Sequence, residues 1–476
     1  MAHRSRPSRD YPTSSREHAR SSREYTSDKA ARKHRRASLP QYNHNGHAVT
    51  KGMHPDGESG RRGFHPIKFL AISARSTSTL SMLANLLWPI VPVAIALHFA
   101  KPEWHLAIFI TNYIAMLPAA NLLGFAGQEL ARKIPQKTIA VVLETTFGSV
   151  VEIILFMVLL KTSVGNGNVQ VIQAAILGSI LANILLCLGC CFIAGGLKNK
   201  TQEFHDAISE SGNGLLLVAS MGLVLPAIFY KSLVNNTDFE IGSNQDISHS
   251  AVLISRGVAI ISLVGFLVYI GYQTVSHDSL LHEIYEADEH KDADRHEELA
   301  KPKLTLTEVV VALAIALACV SLIAISLVQE IHYIVNRGVK DAFVGLILIP
   351  LVEKVAEHLL AIDEAYDNQI NMALAHVMGA SIQTALLNAP LTVLVGWGIG
   401  VDMSYAFSVF DSAALILAVL VVGSFLRDGK SNYLEGVLCI MMYIIIAMCA
   451  FYFPNPLEHG TAGGEGSAGA EGGGHG

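Results

Sequence analysis

The sequence predicts an all-α membrane protein with about eleven transmembrane helices. Of its 476 residues, 51% are apolar and only 16% are charged, whereas a soluble domain carries about 25% charged residues. Eleven apolar runs reach the length of about 20 residues that crosses a bilayer. Two of these runs contain an acidic motif well inside the span. A carboxylate costs roughly 2.5–3.5 kcal/mol at the membrane centre, so such a motif indicates function.

The predicted segments follow one another in a simple order. Residues 1–66 hold few aliphatic residues and are expected to form a disordered basic tail. We expect the first helix at 67–104 and a first repeat at 105–276. An acidic loop at 277–303 separates it from a second repeat at 304–454, and a Gly-rich tail follows at 455–476. The apolar runs lie near 79–100, 105–124, 138–161, 169–196, 213–232, 251–273, 305–328, 341–362, 371–396, 405–426 and 433–453.

The distribution of basic residues predicts the orientation of these spans. Residues 1–68 hold 15 Lys and Arg against 6 Asp and Glu. If this tail is cytosolic, the later cytosolic loops hold eleven basic residues and the opposite loops hold five. Positive charge favours the cytosolic side, so we expect a cytosolic N-terminus and a lumenal C-terminus. The acidic loop is expected to be a solvated hinge between the two halves, and it lacks the ligand spacing of a tight calcium loop.

The acidic motifs lie in the third and eighth spans. The third contains Glu144, Ser149 and Glu152, and the eighth contains Glu353, Lys354, Glu357 and His358. If the first helix stands apart, each motif is on the second helix of a five-helix half. An odd number of helices per half gives the halves opposite orientations, so the sequence predicts inverted repeats that meet at one site near the bilayer midplane.

The span after each motif carries a segment of small and amide residues. These segments are Gly178–Asn183 in the fourth span and Gly379–Thr384 in the ninth. Small residues allow close helix approach, and Asn183 and Gln383 offer the carbonyl oxygens that hard cations prefer. Glu152 and Glu357 can bind either a cation or protons. The cation and the protons therefore compete for the same oxygens, which is the simplest basis for antiport.

Several segments resemble the cation/proton exchanger family, the Ca²⁺/H⁺ antiporters of the Ca²⁺/cation antiporter superfamily. The resemblance covers about residues 105–454 and rests on Gly178-Ser179-Ile180-Leu181, Ser255-Arg256-Gly257-Val258-Ala259, Ala342–Leu348, Ser381-Ile382-Gln383 and, most specifically, Asp428–Gly436. It implies a gating first helix plus two inverted five-helix repeats. It also implies a cation and proton site that includes Glu152, Glu357, Ser149, Asn183, Gln383 and Ser381, with the two glutamates as metal ligands.

The sequence departs from the family pattern inside the acidic motifs. At the positions where the family has two asparagines, this sequence has Glu144 and Ser149. Where the family has a Gly-Asn pair, it has Glu353-Lys354. Family serines are replaced at Ala175, Ala182 and Ala380. Lys354 lies three residues before Glu357, on roughly the same helix face, where its ammonium would act as a tethered cation. Lys354, Glu353, Glu144 and His358 are therefore interpreted as residues that tune the site.

These observations lead to a function hypothesis with two alternatives. The first hypothesis is a Ca²⁺/H⁺ antiporter that loads an acidic compartment, by default the vacuole, by alternating access. One alternative keeps the fold and changes the cation to Na⁺ or K⁺, and the other is a transport-inactive regulatory homologue. The chain is not expected to be an enzyme or to need a cofactor. The expected partners are the lipid bilayer, the transported cation and protons, without nucleic acid.

Overall fold

The computed structural model describes residues 40–163, 169–234 and 244–454, and nearly all of them are helical. The tail residues 1–39 and 455–476 lie outside the described residues. Ten helices are long and apolar enough to cross a membrane. They are α1 (Thr79–Ala100), α2 (His105–Ala131), α3 (Lys137–Thr162), α4 (Val169–Lys198), α5 (Asp206–Val234), α6 (Ile247–Ser276), α7 (Leu306–Asn336), α9 (Ile370–Ile399), α10 (Val409–Asp428) and α11 (Tyr433–Tyr452).

The eighth predicted span is a broken helix, here called α8. It consists of Asp341–Phe343, a π-helical turn at Val344–Leu348, Ile349–Glu353 and Val355–Tyr366. Its interruption by Lys354, together with its many charged residues, explains why it is not among the ten long apolar helices. A discontinuous helix of this kind frees backbone and side-chain groups near the membrane centre, which is where transporters place their sites.

The helices of the two halves pack against their counterparts. α2 lies along α7, α3 contacts α8 and α9, and the second part of α4 packs along α8 and α11. α4 and α9 are the most buried of the ten membrane-length helices, whereas α1 is the most exposed. The Ser81 hydroxyl and backbone of α1 bond to Asn121 of α2, which holds α1 at the edge of the bundle.

The residues before α1 form a folded cap on one end of the bundle. They include a short helix at Pro55–Gly57 and a helix at Pro66–Arg75. The Arg61 guanidinium donates two hydrogen bonds to Glu308 of α7, at 3.1 and 3.2 Å, and the Lys133 ammonium donates to the Gly57 carbonyl at 2.7 Å. This part of the expected disordered tail is therefore ordered by buried charge pairs. We call this end of the molecule the amino-terminal face.

The acidic loop also differs from the expected solvated hinge. Residues Asp278–Glu289 and Arg295–Ala300 form helices at the amino-terminal face. Asp288 is fully buried. Its carboxylate accepts hydrogen bonds from the Asn371 backbone and side chain at 2.7 and 2.9 Å, which ties the loop to the start of α9.

The most family-specific segment, Asp428–Gly436, has a structural role at the start of α11. Gly429 adopts a positive φ of 70°, a conformation that favours glycine. The following strand β2 (Lys430–Ser431) pairs antiparallel with β1 (Gln202–Glu203). Asn432 and Glu435 then form a capping box that begins α11. Loop, strand pair and cap together fix the end of the last helix.

Candidate functional site: a buried pocket between α3, α8 and α9

Glu152 of α3 lies at the centre of the bundle and is fully buried. Its Oε2 accepts hydrogen bonds from the Thr384 hydroxyl and the Asn388 amide of α9, both at 2.9 Å. Its Oε1 has no hydrogen-bond partner among the residues that the structure describes. One carboxylate oxygen is therefore anchored while the other is available to a ligand.

Lys354 lies at the break in α8 and is also fully buried. Its Nζ is 2.6 Å from Glu152 Oε2 and 3.2 Å from Glu357 Oε2. A buried ammonium needs such compensation, because an unpaired charge in the interior is strongly destabilising. The structure thus places a tethered cation between two glutamates, one from each half of the chain.

Glu357 lies in the first turn of the helix that follows the break. Both of its carboxylate oxygens are buried and lack hydrogen-bond partners within the described part of the chain, and Glu357 forms an ion pair with Lys354. A side-chain carbon placed on Gly148 of α3 would lie 2.5 Å from Glu357 Oε1. Glycine at this position therefore makes room for the carboxylate.

Glu353 belongs to the same pocket but reaches a different helix. It is buried, and its Oε1 is hydrogen-bonded to the hydroxyl of Ser179 on α4. Its Oε2 has no hydrogen-bond partner among the described residues. The residue predicted to tune the site thus contributes a third carboxyl group beside Lys354 and connects it to α4.

The polar residues predicted as ligands form two pairs around these charges. Ser149 donates to Gln383 Oε1 at 3.1 Å, and the Gln383 amide donates to Thr145 at 2.9 Å. His358 Nε2 is 3.2 Å from Asn183 Oδ1. Ser381 is buried but bonds to the Val377 carbonyl of its own helix. The structure therefore brings the predicted residues of four helices together, with Ser381 turned to its own backbone.

The two helices that carry the amides share a backbone irregularity. α4 contains a π-helical turn at Ala182–Cys187, and α9 contains one at Thr384–Asn388. π-helical turns are rare and frequently mark functional sites. In both halves the turn lies at the predicted amide, Asn183 or Gln383. This repetition is the structural counterpart of the sequence repeat.

Sequence reasoning missed Thr384, Asn388 and Ser179, although each contacts a carboxylate of the pocket. Their spacing held a signal. Thr384 and Asn388 lie one and five residues after Gln383, so they continue the same helix beyond the predicted amide. Ser179 lies inside the small-residue segment of the fourth span. Glu144, by contrast, lies away from the pocket at a cluster with His376.

A cavity of about 160 Å³ lies between this region and the amino-terminal face. Its lining includes Glu144, Asp363 and Glu364 from the membrane helices and Asp292 and Lys303 from the loop. Burial raises the pKa of Asp292 to about 7 and lowers the pKa of Lys303 to about 7. The carboxylates of Asp292, Asp294 and Asp367 approach within 4.8 Å of one another at the rim. The cavity is therefore a charged and titratable approach to the bundle.

The fold and the pocket are those of a secondary transporter: two halves each deliver one glutamate to a buried site that already holds a positive charge. A family model described as sodium/calcium exchanger protein matches residues 104–275 and 308–452. The chain belongs to this family. The resemblance to the cation/proton exchangers noted in the sequence is confirmed.

Relatives and solved structures agree with this assignment. The chain is 34% identical to vacuolar cation/proton exchanger 5 of Arabidopsis thaliana over 79% of its length and 82% of the relative. It is 31% identical to the vacuolar calcium ion transporter of Schizosaccharomyces pombe, over 79% of this chain and 86% of the relative. It is also 31% identical to the Ca²⁺/H⁺ antiporter of Synechocystis, over 79% of this chain and 99% of the relative. Native YfkE matches in structure with a TM-score of 0.60 at 24% identity, covering 77% of this chain and all of that one, which supports the fold.

Proposed function

We propose that this protein exchanges a cation for protons across the membrane of an acidic compartment, with Ca²⁺ as the cation. One observation carries the proposal: Glu152 and Glu357, from opposite halves of the chain, face one ammonium group in a single buried pocket. A pocket that holds a positive charge between two carboxylates is chemically suited to hold another cation in its place. The names of the relatives, vacuolar cation/proton exchanger and vacuolar calcium ion transporter, favour Ca²⁺ and the vacuole.

Competition for the same oxygens accounts for the coupling. A cation that enters must draw on the orphan oxygens of Glu152 and Glu357, and those oxygens bind a proton when the cation leaves. Alternating access then exposes the pocket to one side at a time as the two halves rock about it. In this proposal the amino-terminal face is cytosolic, and the cavity beneath it is the cytosolic approach.

Lys354 supports a second candidate, in which the cation is Na⁺ or K⁺. Its ammonium neutralises one of the two negative charges nearest to it, so less charge is left for a divalent ion than in a pocket without a lysine. A divalent ion can still enter if the ammonium withdraws from the two carboxylates. The third possibility, a transport-inactive homologue, predicts that no cation releases protons.

Sealed vesicles containing the purified protein separate these candidates. The vesicles are acidified inside, and the internal pH is followed while Ca²⁺, Na⁺ or K⁺ is added outside. We expect Ca²⁺ to dissipate the gradient, and Glu152→Gln and Glu357→Gln to abolish the response. Glu330→Gln is the matched control, because Glu330 is a mostly buried carboxylate paired with His105 on the opposite face.

The outcome is decisive for each candidate. A response to Na⁺ or K⁺ without one to Ca²⁺ selects the monovalent exchanger. Folded protein that responds to none of the three ions contradicts the exchange function and selects the inactive homologue.

A further inference from the structure

A second buried cluster of titratable groups lies apart from the central pocket. His376 of α9 is 4% exposed, and Glu364 of α8 is 9% exposed. The Nδ1 of His376 is 2.7 Å from Glu364 Oε2, and its Nε2 is 3.6 Å from Glu144 Oε2 on α3. We propose that Glu144, His376 and Glu364, here called the relay cluster, carry protons between the amino-terminal cavity and the central pocket. This inference rests on the proposed proton exchange.

The geometry of the histidine favours proton handling. Each ring nitrogen faces a carboxylate, and a nitrogen must carry a hydrogen to donate to one. Nδ1 therefore carries a hydrogen when Glu364 is ionised, and a second proton taken up on Nε2 would lie beside Glu144. The two contacts are unequal: the Nδ1 contact is a short hydrogen bond, whereas the buried Nε2 lacks a hydrogen bond within the described residues. Glu144 is accordingly the loosely held partner.

The position of the cluster connects two compartments. Glu144 and Glu364 line the amino-terminal cavity. On α3, Gly148 of the pocket region lies four residues further from the amino-terminal face than Glu144. On α8 and α9, Glu357 and Gln383 lie seven residues further from this face than Glu364 and His376. At 1.5 Å per residue these spacings place the pocket about 6 to 10 Å deeper. The cluster therefore lies between the cavity and the orphan carboxylate of Glu357.

Other readings of the cluster fit less well. A metal site would need the histidine nitrogen and both carboxylates to point at one ion, whereas the two nitrogens here point at different carboxylates. In the part of the chain that the structure describes, the acidic group that satisfies metal spacing is Asp292, Asp294 and Asp367. A purely structural lock between α3, α8 and α9 would not make exchange depend on pH through His376, and this dependence separates the two roles.

Several charged groups surround the cluster and set its proton affinity. α9 itself contributes Asn371, whose side chain donates a hydrogen bond to Asp288. α5 packs on α9 at Gly212, which lies beside Met378. The titratable groups that face the cluster come from α2, α8 and the helix at 278–289: Arg132, Glu357, Asp363, Tyr285 and Asp288. Carboxylates outnumber cations in this set.

The relay step moves only a proton. A proton that leaves Glu357 is taken up by the pair of Glu144 and His376, and Glu144 or Glu364 then releases one to water in the cavity. The ring and the two carboxyl groups return to their starting state after each transfer. During the opposite half of the cycle, the carboxylate of Glu357 is free to bind the cation.

The test is chemical rescue of His376→Ala in vesicles. Exchange is measured with Ca²⁺, or with the cation that drives the wild type, as a function of pH on the amino-terminal side. We expect exchange to slow by at least about tenfold and to lose its dependence on that pH. Added imidazole should restore much of the rate. Glu144→Gln should give the same altered pH profile, and because its contact with the ring is long it should leave folding intact.

His105→Gln is the matched control, since His105 and Glu330 form a histidine–carboxylate pair at 2.8 Å on the opposite face. It should keep the wild-type profile. A folded His376→Ala or Glu144→Gln protein with the wild-type pH profile would overturn the relay while leaving the exchange function intact. A wild-type protein that exchanges protons for no cation would overturn both.

Discussion

The two glutamates of the pocket occupy unequal environments. Glu152 Oε2 receives hydrogen bonds from Lys354, Thr384 and Asn388, at 2.6, 2.9 and 2.9 Å. Glu357 has the ammonium of Lys354 at 3.2 Å, and neither of its oxygens has a hydrogen bond among the described residues. Glu152 is therefore the anchored carboxylate of the pocket. In the proposed exchange, Glu357 is the working acid, because its oxygens are free of such donors.

The two halves of the chain produce this difference through unequal surroundings. Both donors from α9 that hold Glu152 lie on the π-helical turn of that helix. The corresponding turn of α4 begins near Asn183, which contacts His358 and leaves Glu357 without an amide donor. Glu357 instead faces Gly148. The two halves thus hold their glutamates differently, and in the proposed exchange Glu152 is the anchored acid and Glu357 the working acid.

Neutralising each glutamate is the largest expected effect. Glu152→Gln and Glu357→Gln should both abolish exchange. Only Glu152→Gln should also unfold the protein readily, because it removes the closest counter-charge of a fully buried lysine. Breaking a buried pair in this way costs about 3–5 kcal/mol. Exchange in vesicles and thermal unfolding in detergent measure the two effects.

The comparison of the glutamates would fail if the two variants were equally destabilised. It would also fail if Glu357→Gln retained exchange. Glu330→Gln serves as the control for loss of a mostly buried carboxylate outside the pocket.

Replacing the tethered cation comes next in expected size. Lys354→Asn removes the ammonium that lies between the two carboxylates. The selectivity for Ca²⁺ over Na⁺ should then rise by roughly tenfold or more, because two unit charges near 4 Å apart interact by about 1–4 kcal/mol. Lys101→Asn, at an exposed pair with Glu103, should leave selectivity unchanged. Unaltered Ca²⁺ and Na⁺ exchange in Lys354→Asn would show that the ammonium does not contribute to ion choice.

A glycine comparison tests whether Glu357 needs free space. A side-chain carbon at Gly148 would lie 2.5 Å from Glu357 Oε1, whereas one at Gly379 would lie 3.5 Å from Thr145, an ordinary contact. Gly148→Ala should therefore displace the working carboxylate and lower exchange by about tenfold, equivalent to about 1.4 kcal/mol. Gly379→Ala should have little effect. Equal activity of the two variants would contradict the close fit around Glu357.

Removing one donor to the anchored carboxylate is the smallest expected effect. Thr384→Val deletes one of three hydrogen bonds to Glu152 Oε2 and should cost about 1–3 kcal/mol in thermal stability. Exchange should continue, because Lys354 and Asn388 still hold Glu152 Oε2. Thr392→Val is a suitable control, since Thr392 is buried on the same helix but bonds to the Asn388 carbonyl. Complete loss of exchange would instead make Thr384 a ligand.

The sequence predicted the membrane fold and the pair Glu152 and Glu357, because apolar run length and buried charge are strong local signals. It also identified Lys354 as a cation beside Glu357. It did not predict that Lys354 lies closer to Glu152, because that contact joins residues 202 positions apart. The donors Thr384 and Asn388 depend on a π-helical turn, and the ordered segment around Arg61 depends on its partner Glu308. Neither a π-helical turn nor a contact between residues far apart in the chain leaves a periodic pattern in the sequence.

Proton release on cation binding tests the shared pocket most directly. The purified protein is titrated with Ca²⁺, and separately with Na⁺, in weakly buffered solution while a pH indicator counts released protons. We predict that the transported cation releases protons from the wild type, with less release at higher pH, and that Glu357→Gln abolishes the release. Cation binding without proton release across the pH range, or release that persists in Glu357→Gln, would contradict the claim that metal ion and proton compete for this glutamate.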